Sequence, residues 1–280
     1  MILNKYPDGT SYVALNDYYT SDWITFKVNT YEYLHHLEQF VEAYNFKFKT
    51  QPFILIPNLI DAQADRRFGG NQSSGLKIVL KRLNSMSANF KIFHPHNAEI
   101  VEALMDNVEI IDNREFISKV LDLISDDIYA KMVGGNSKED KLILMSSDAG
   151  GFKPLMKLSD QLNWQGETYS ASKARTKDGI KQLIDRKDFG GKDILIVDDI
   201  SVYGGTFKGL SKLLKQRNCG KLYLAVSHMT VQNLGENPIT NYFDKVFTTN
   251  SKFDYYNTTN EKSFYQTNNQ PSNLEIIKLF

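Results

Sequence analysis

Asp198 and Asp199 are the side chains around which a chemistry can be built. They follow the apolar run Ile194–Val197 and precede Gly204, Gly205 and Thr206. Adjacent carboxylates suit a divalent cation or the hydroxyls of a sugar. Glycines let backbone N–H groups approach a phosphate, and a helix that starts there favours negative charge. A second constellation of the same shape stands upstream. The apolar run LILM leads through two serines to Asp148, Ala149, Gly150 and Gly151. The cationic candidates are Lys173 and Arg175 in the small-residue segment TYSASKARTKDGI, and Arg66 and Arg67 beside Asp65. Guanidinium groups in a polar loop after a buried strand are placed to meet phosphates or an aromatic base.

The elements that must carry these residues are those of an α/β chain. Ile194–Val197, Phe53–Leu59, Lys141–Met145 and Lys221–Met229 read as strands buried on both faces, as in a parallel sheet. KGLSKLLKQ, FKPLMKLSDQL, GLKIVLKRLNSM and Ala98–Met105 have helical spacing. Ligands of open α/β sheets bind at the carboxyl ends of strands, where both aspartate–glycine constellations fall. Tyr6–Thr10 reads YPDGT, a turn before the alternating SYVAL. Asn29 or Thr30 is expected to cap a helix with Tyr31, Leu34, Leu37 and Val41 on one face. His35 and His36 on it point about 100° apart, so they make no i, i+4 metal pair and are expected to be solvated or interfacial. A composition shift at the polar connector GGNSKEDK sets the expected domains at 1–138 and 139–280.

The stretch Asp193–Phe207 resembles the phosphoribosyl pyrophosphate (PRPP) loop of type I phosphoribosyltransferases and of ribose-phosphate diphosphokinases, the PRPP synthetases. Other segments match the synthetases in motif order. Asp148–Gly151 resembles their Pro-Asp-Ala-Gly-Gly signature, with Ser147 in place of the proline. Lys173 and Arg175 match the Lys-x-Arg of their flexible catalytic loop. His96 matches the histidine of Asp-Leu-His, with His94 where the family has Asp. Asp65 and Arg66 match the end of Ala-Arg-Gln-Asp-Arg, although Gln63 and Ala64 depart from it. Tyr6, Asp8 and Gly9 match Phe-x-Asp-Gly-Glu, with Thr10 replacing the glutamate.

The resemblance implies two phosphoribosyltransferase-like α/β domains with mainly parallel sheets and the site in their cleft. It implies ATP contacts at Asp8, Asp65, Arg66 and His96, and catalytic cations at Lys173 and Arg175. Ribose-phosphate contacts are implied at Asp148, Asp198, Asp199, Tyr203, Gly204, Gly205 and Thr206. The implied cofactor is Mg2+, with His96 and Asp148 as metal contacts. His228, at the end of its strand, is left open between a packed supporting role and a direct contact. The implied reaction moves the β,γ-diphosphoryl group of ATP to the 1-hydroxyl of ribose 5-phosphate, giving PRPP and AMP. The family loop reads Asp-Thr-x-Gly-Thr, whereas this chain has Val202, Tyr203, Gly204, Gly205, Thr206. An acid and a hydroxyl have become an apolar and an aromatic residue, so a 5-substituted ribose phosphate such as ADP-ribose is an alternative acceptor. A phosphoribosyltransferase using PRPP and a base, or an inactive regulatory homologue, are the other two readings.

Composition narrows the partners. Lys plus Arg and Asp plus Glu are 33 each, so bulk charge gives no case for nucleic-acid binding. The lone Cys219 rules out an internal disulfide or a cysteine-rich zinc site, and beside Gly220 it reads as a bystander. No apolar run has membrane-spanning length, and MILNKYPDGT lacks a signal-peptide pattern. A cytoplasmic enzyme is expected. The resemblance implies a homo-oligomer, a dimer or an assembly of dimers.

Overall fold

A computed structural model of the chain describes residues 2–15, 22–67, 69–129, 141–176, 179–252 and 271–280. It divides into two compact units, Met1–Asp112 with Phe280, and Asn113–Leu279.

The first unit is built on a four-stranded parallel sheet in the order β3-β4-β5-β6. Its strands are β3 (Ile24–Thr25), β4 (Phe53–Ile56), β5 (Asn89–Phe93) and β6 (Val108–Ile111). Helices α1 (Tyr31–Phe48), α2 (Gly75–Asn84) and α3 (Ala98–Leu104) are the crossovers that parallel pairing requires. Thr30 is the N-cap of α1, its side chain accepting from the Tyr33 N–H at 3.2 Å. Leu34, Leu37, Phe40 and Val41 bury the helix face, whereas Tyr31, expected on that face, is exposed. A separate antiparallel hairpin, β1 (Ile2–Lys5) and β2 (Ser11–Ala14), turns through Tyr6–Thr10 with Gly9 at φ 89°. His35 is exposed as expected, but His36 is not solvated. It is buried, with Nε2 2.7 Å from the Ser11 hydroxyl of that hairpin.

The second unit carries a six-stranded parallel sheet in the order β14-β13-β12-β11-β7-β8. Its members are β7 (Leu142–Ser146), β8 (Thr168–Ser170), β11 (Asp193–Ser201), β12 (Leu222–Met229), β13 (Lys245–Thr249) and β14 (Leu274–Ile277). Both faces are covered, which is why its central strands read as unbroken apolar runs. Ile194 and Ile196 of β11 pack on one side with Phe207, Leu210 and Leu214 of α6 (Gly205–Lys215). Leu195 and Val197 pack on the other with Leu155 and Leu158 of α5 (Phe152–Gln161) and with α4 (Arg114–Tyr129). Each fully buried Leu or Ile here contributes roughly 1.5–3 kcal/mol.

The compact units divide at Asp112/Asn113, earlier than the 138/139 boundary read from composition. Phe116, Ile117, Val120, Leu121 and Ile124 of α4 share a core with the second sheet, and that packing assigns the helix. Most of the polar connector lies outside the described residues. The segment read as a catalytic loop is a β-hairpin, β9 (Ser172–Thr176) and β10 (Gly179–Leu183), with its tip outside the described residues.

Candidate active site

The site elements of the second unit sit at the carboxyl ends of adjacent parallel strands. Strand β11 does not stop before the acidic pair as expected. Its ladder with β12 runs on to Ser201 opposite Met229, so Asp198 and Asp199 lie within the strand. The Ser147 hydroxyl, at the end of neighbouring β7, donates to Asp198 Oδ2 at 2.5 Å. Burial, followed by the Asp199 carboxylate and a hydrogen bond with it, pushes Asp198 up to about 7. The Ser147 hydroxyl opposes that rise without cancelling it.

Asp148 caps the turn into α5. Its Oδ1 accepts from the Gly150 and Gly151 N–H groups at 2.9 and 3.1 Å. Its Oδ2 accepts from the Lys173 ammonium on β9 at 2.5 Å. Burial pulls this carboxyl upward. The lysine and the two backbone donors outweigh burial and hold it below the usual carboxylate range. The structure therefore brings Asp148 and Lys173 together as an ion pair. Arg175 keeps its backbone place opposite Ile180 in the hairpin, and its side chain lies outside what is described.

The glycine loop is held from behind. The Asn233 amide donates to the carbonyls of Ser201, Val202 and Thr230 at 2.8, 2.9 and 2.9 Å. Its Oδ1 accepts from the Ser201 hydroxyl at 2.5 Å, and Thr230 Oγ1 donates to the Val202 carbonyl at 2.6 Å. Gly204 has φ 70°, and a Cβ there would come within 2.7 Å of Ile239 Cδ1 and 2.9 Å of Asn233 Oδ1. Glycine is therefore required twice, by conformation and by space. Gly205 opens α6 with no side-chain cap at the helix N-terminus, and a Cβ on it would meet nothing within 4 Å. Tyr203 stands 68% exposed at the loop tip. His228 is buried, with Nδ1 2.8 Å from the Ser251 hydroxyl.

The first unit gathers a smaller cluster. Asp65 is 5% exposed, and its Oδ2 accepts from the Asn97 amide at 3.1 Å. Burial raises it, but Asn97, the Arg66 guanidinium and His96 together hold it below the ordinary range. Asn97 also caps α3 through the Ile100 N–H at 3.1 Å, so one side chain orients both the helix and the carboxylate. Asp8 is held at its turn by the Thr10 hydroxyl and N–H, at 2.7 and 2.9 Å, and those bonds lower its pKa.

Sequence reasoning missed Asn97, Thr230 and Asn233. An Asn just before a helical pattern is a cap signal, so Asn97 could have been found. Nothing local in VQNLGEN marks Asn233. Among the described residues no group of three or more His, Cys, Asp or Glu could hold a metal ion by itself. The carboxylate oxygens are nevertheless hard donors of the type Mg2+ takes, and Mg2+ usually completes its shell with substrate phosphates and water. The donor set fits that cofactor in this limited sense. No helix among the described residues is long and apolar enough to cross a membrane.

The parallel sheet, the acidic strand end and the glycine turn into a helix define a phosphoribosyltransferase-type α/β protein. The phosphoribosyl transferase domain family model matches residues 108–259, and the chain belongs to that family. Ribose-phosphate pyrophosphokinase of Sulfurisphaera tokodaii is 25% identical over 260 residues, covering 88% of this chain and 82% of that protein. The Sulfolobus acidocaldarius enzyme of the same name is 22% identical over 254 residues, with the same coverage of 88% and 82%. The crystal structure of phosphoribosylpyrophosphate synthetase from Mycobacterium smegmatis superposes with a TM-score of 0.70, covering 99% of this chain and 85% of that one at 16% identity. That structure shares the fold. Within the family the chain is a divergent ribose-phosphate diphosphokinase-like transferase.

Proposed function

We propose that this chain makes PRPP by transferring the β,γ-diphosphoryl group of ATP to the 1-hydroxyl of ribose 5-phosphate, releasing AMP. The observation that carries the reading is the Asp148–Lys173 ion pair beside the Ser147–Asp198 bond. It sets the cation of a diphosphokinase-type motif next to two strand-end carboxylate sites. Asp198 and Asp199 hold the ribose hydroxyls, and the Gly204–Thr206 turn takes the 5-phosphate on backbone and hydroxyl donors. Lys173 exchanges Asp148 for the transferring phosphoryl oxygens, and the cations Lys173 and Arg175 stabilise charge spread over those oxygens. Asp8, Asp65, Arg66 and His96 are the nucleotide contacts in this reading. Asp148 and His96 are the residues that would hold Mg2+, which would supply positive charge to offset that of the phosphates. A homo-oligomer acting in the cytoplasm completes the reading.

A second reading keeps the transfer and changes the acceptor to a 5-substituted ribose phosphate such as ADP-ribose. The 68% exposed Tyr203 ring, where the family loop has a hydroxyl residue, favours it. The test is AMP formation from ATP and Mg2+ with no acceptor, ribose 5-phosphate or ADP-ribose. Acceptor-dependent AMP is expected, with Lys173→Ala lowering kcat by about 100-fold or more. PRPP consumption with a free base, and no AMP from ATP, would make the protein a phosphoribosyltransferase instead.

A further inference from the structure

We propose that the cavity between α6 and β10 is a subsite for a nucleoside esterified beyond the acceptor's 5-phosphate. The acceptor class is then a ribose 5-diphosphate ester of a nucleoside. The inference rests on the second reading above and deepens it.

The cavity, of about 520 Å3, belongs to the second unit and lies in the range of small-molecule sites. Gly205, Thr206, Gly209 and Leu213 line one wall, and Gln182 and Leu183 line the other. Gly205 and Thr206 also end the phosphate turn, so the cavity begins where a bound 5-phosphate would end. A lone monophosphate would occupy only its mouth.

Three features describe what would fill the rest. Leu183 and Leu213 offer apolar surface for the face of a heterocycle. Gln182 Oε1 is buried without a hydrogen-bond partner among the described residues. Such an acceptor lacks a donor, and the end of the Gln182 side chain, turned into the cavity it lines, would accept from an exocyclic amine on the heterocycle. Lys212, on the α6 wall, adds positive charge to the cavity, with its ammonium 5.6 Å from the Tyr242 ring centroid.

Gly209 is the fourth observation. It lies inside α6, where glycine is a poorer helix former than alanine. Its conformation does not demand glycine, and a Cβ there would meet only Gln182 Cγ, at 3.8 Å. What the bare position provides is room in the cavity.

The experiment measures kcat/KM for acceptor-dependent AMP release with ADP-ribose and with ribose 5-phosphate, in the wild-type chain, Gly209→Leu and Gln182→Leu. The wild type is expected to prefer ADP-ribose by about tenfold or more. Each variant is expected to lower the ADP-ribose to ribose 5-phosphate ratio by about tenfold, mostly through KM. Gly209→Leu raises helix propensity, so it tests filled space without weakening α6. AMP from ribose 5-phosphate alone would overturn the subsite and leave diphosphoryl transfer standing. Turnover of both acceptors with an unchanged ratio in both variants would also overturn it. No AMP with either acceptor would overturn the transfer reaction, and the subsite with it.

Discussion

Asn233→Ala removes the side chain that ties the glycine loop to the sheet. The wild-type amide donates three hydrogen bonds, to the carbonyls of Ser201, Val202 and Thr230, and Oδ1 accepts one from the Ser201 hydroxyl. The two amide hydrogens are shared among three carbonyls, so with the Ser201 bond the side chain contributes about three bonds' worth, about 1.5–4.5 kcal/mol at about 0.5–1.5 kcal/mol net each. Burial leaves the Ser201 partners without easy access to water, so the expected loss is about 3 kcal/mol. In a chain of this size that lowers the thermal midpoint by roughly 6–12 °C. Asn233→Asp is the sharper variant. It keeps the volume but turns an oxygen toward three carbonyl oxygens, so it should be less stable than the alanine variant above neutral pH. Acceptor KM should rise in both, because the Val202 and Gly204 backbone is no longer fixed. Unfolding midpoints and acceptor KM measured on the three proteins test this directly. If Asn233→Ala unfolds within about 0.5 kcal/mol of wild type with the same KM, or if Asn233→Asp matches wild type, the clamp argument fails.

Gly204→Ala should cost about 1–2 kcal/mol from the left-handed backbone alone, and more from the contacts with Ile239 and Asn233; wild-type stability by urea unfolding would contradict the loop geometry. Asp198 is raised from 3.8 to about 7. Between about pH 4 and 7 the folded chain holds a proton that the unfolded chain has lost, so this group's contribution to stability is greatest near pH 4 and declines as pH rises to 7. Asp198→Asn should therefore gain on wild type with rising pH, by an amount on the order of a few kcal/mol at pH 8. Parallel stability–pH curves for the two proteins would show that Asp198 is an ordinary carboxylate.

The sheet was legible because its chemistry is local and periodic. Ile194–Val197 and Leu222–Val226 are apolar at every position for a reason the structure confirms, since both sheet faces are covered. Thr30 announced its helix, and Gly204 its turn. What the sequence concealed were relations across the chain. His36 follows His35 on an amphipathic helix, and nothing nearby says that the Ser11 hairpin covers it. Helix α4 reads equally well on either side of a domain boundary until its apolar face finds the second sheet. Lys173 and Arg175 looked like loop residues because small and charged residues are poor strand formers, yet cross-strand pairing folds them into a hairpin. Asp148 and Lys173 are far apart in sequence, so their ion pair could be named as a pair of motifs but not as a contact.

The most direct measurement of the central claim follows the phosphorus atoms. ATP labelled at the β-phosphorus is incubated with the protein, Mg2+ and a ribose 5-phosphate or ADP-ribose acceptor, and the products are separated. Diphosphoryl transfer places the label in a sugar 1-diphosphate, with one AMP formed for each acceptor consumed. Label remaining in ADP, with a singly phosphorylated sugar or with free phosphate, would contradict the account.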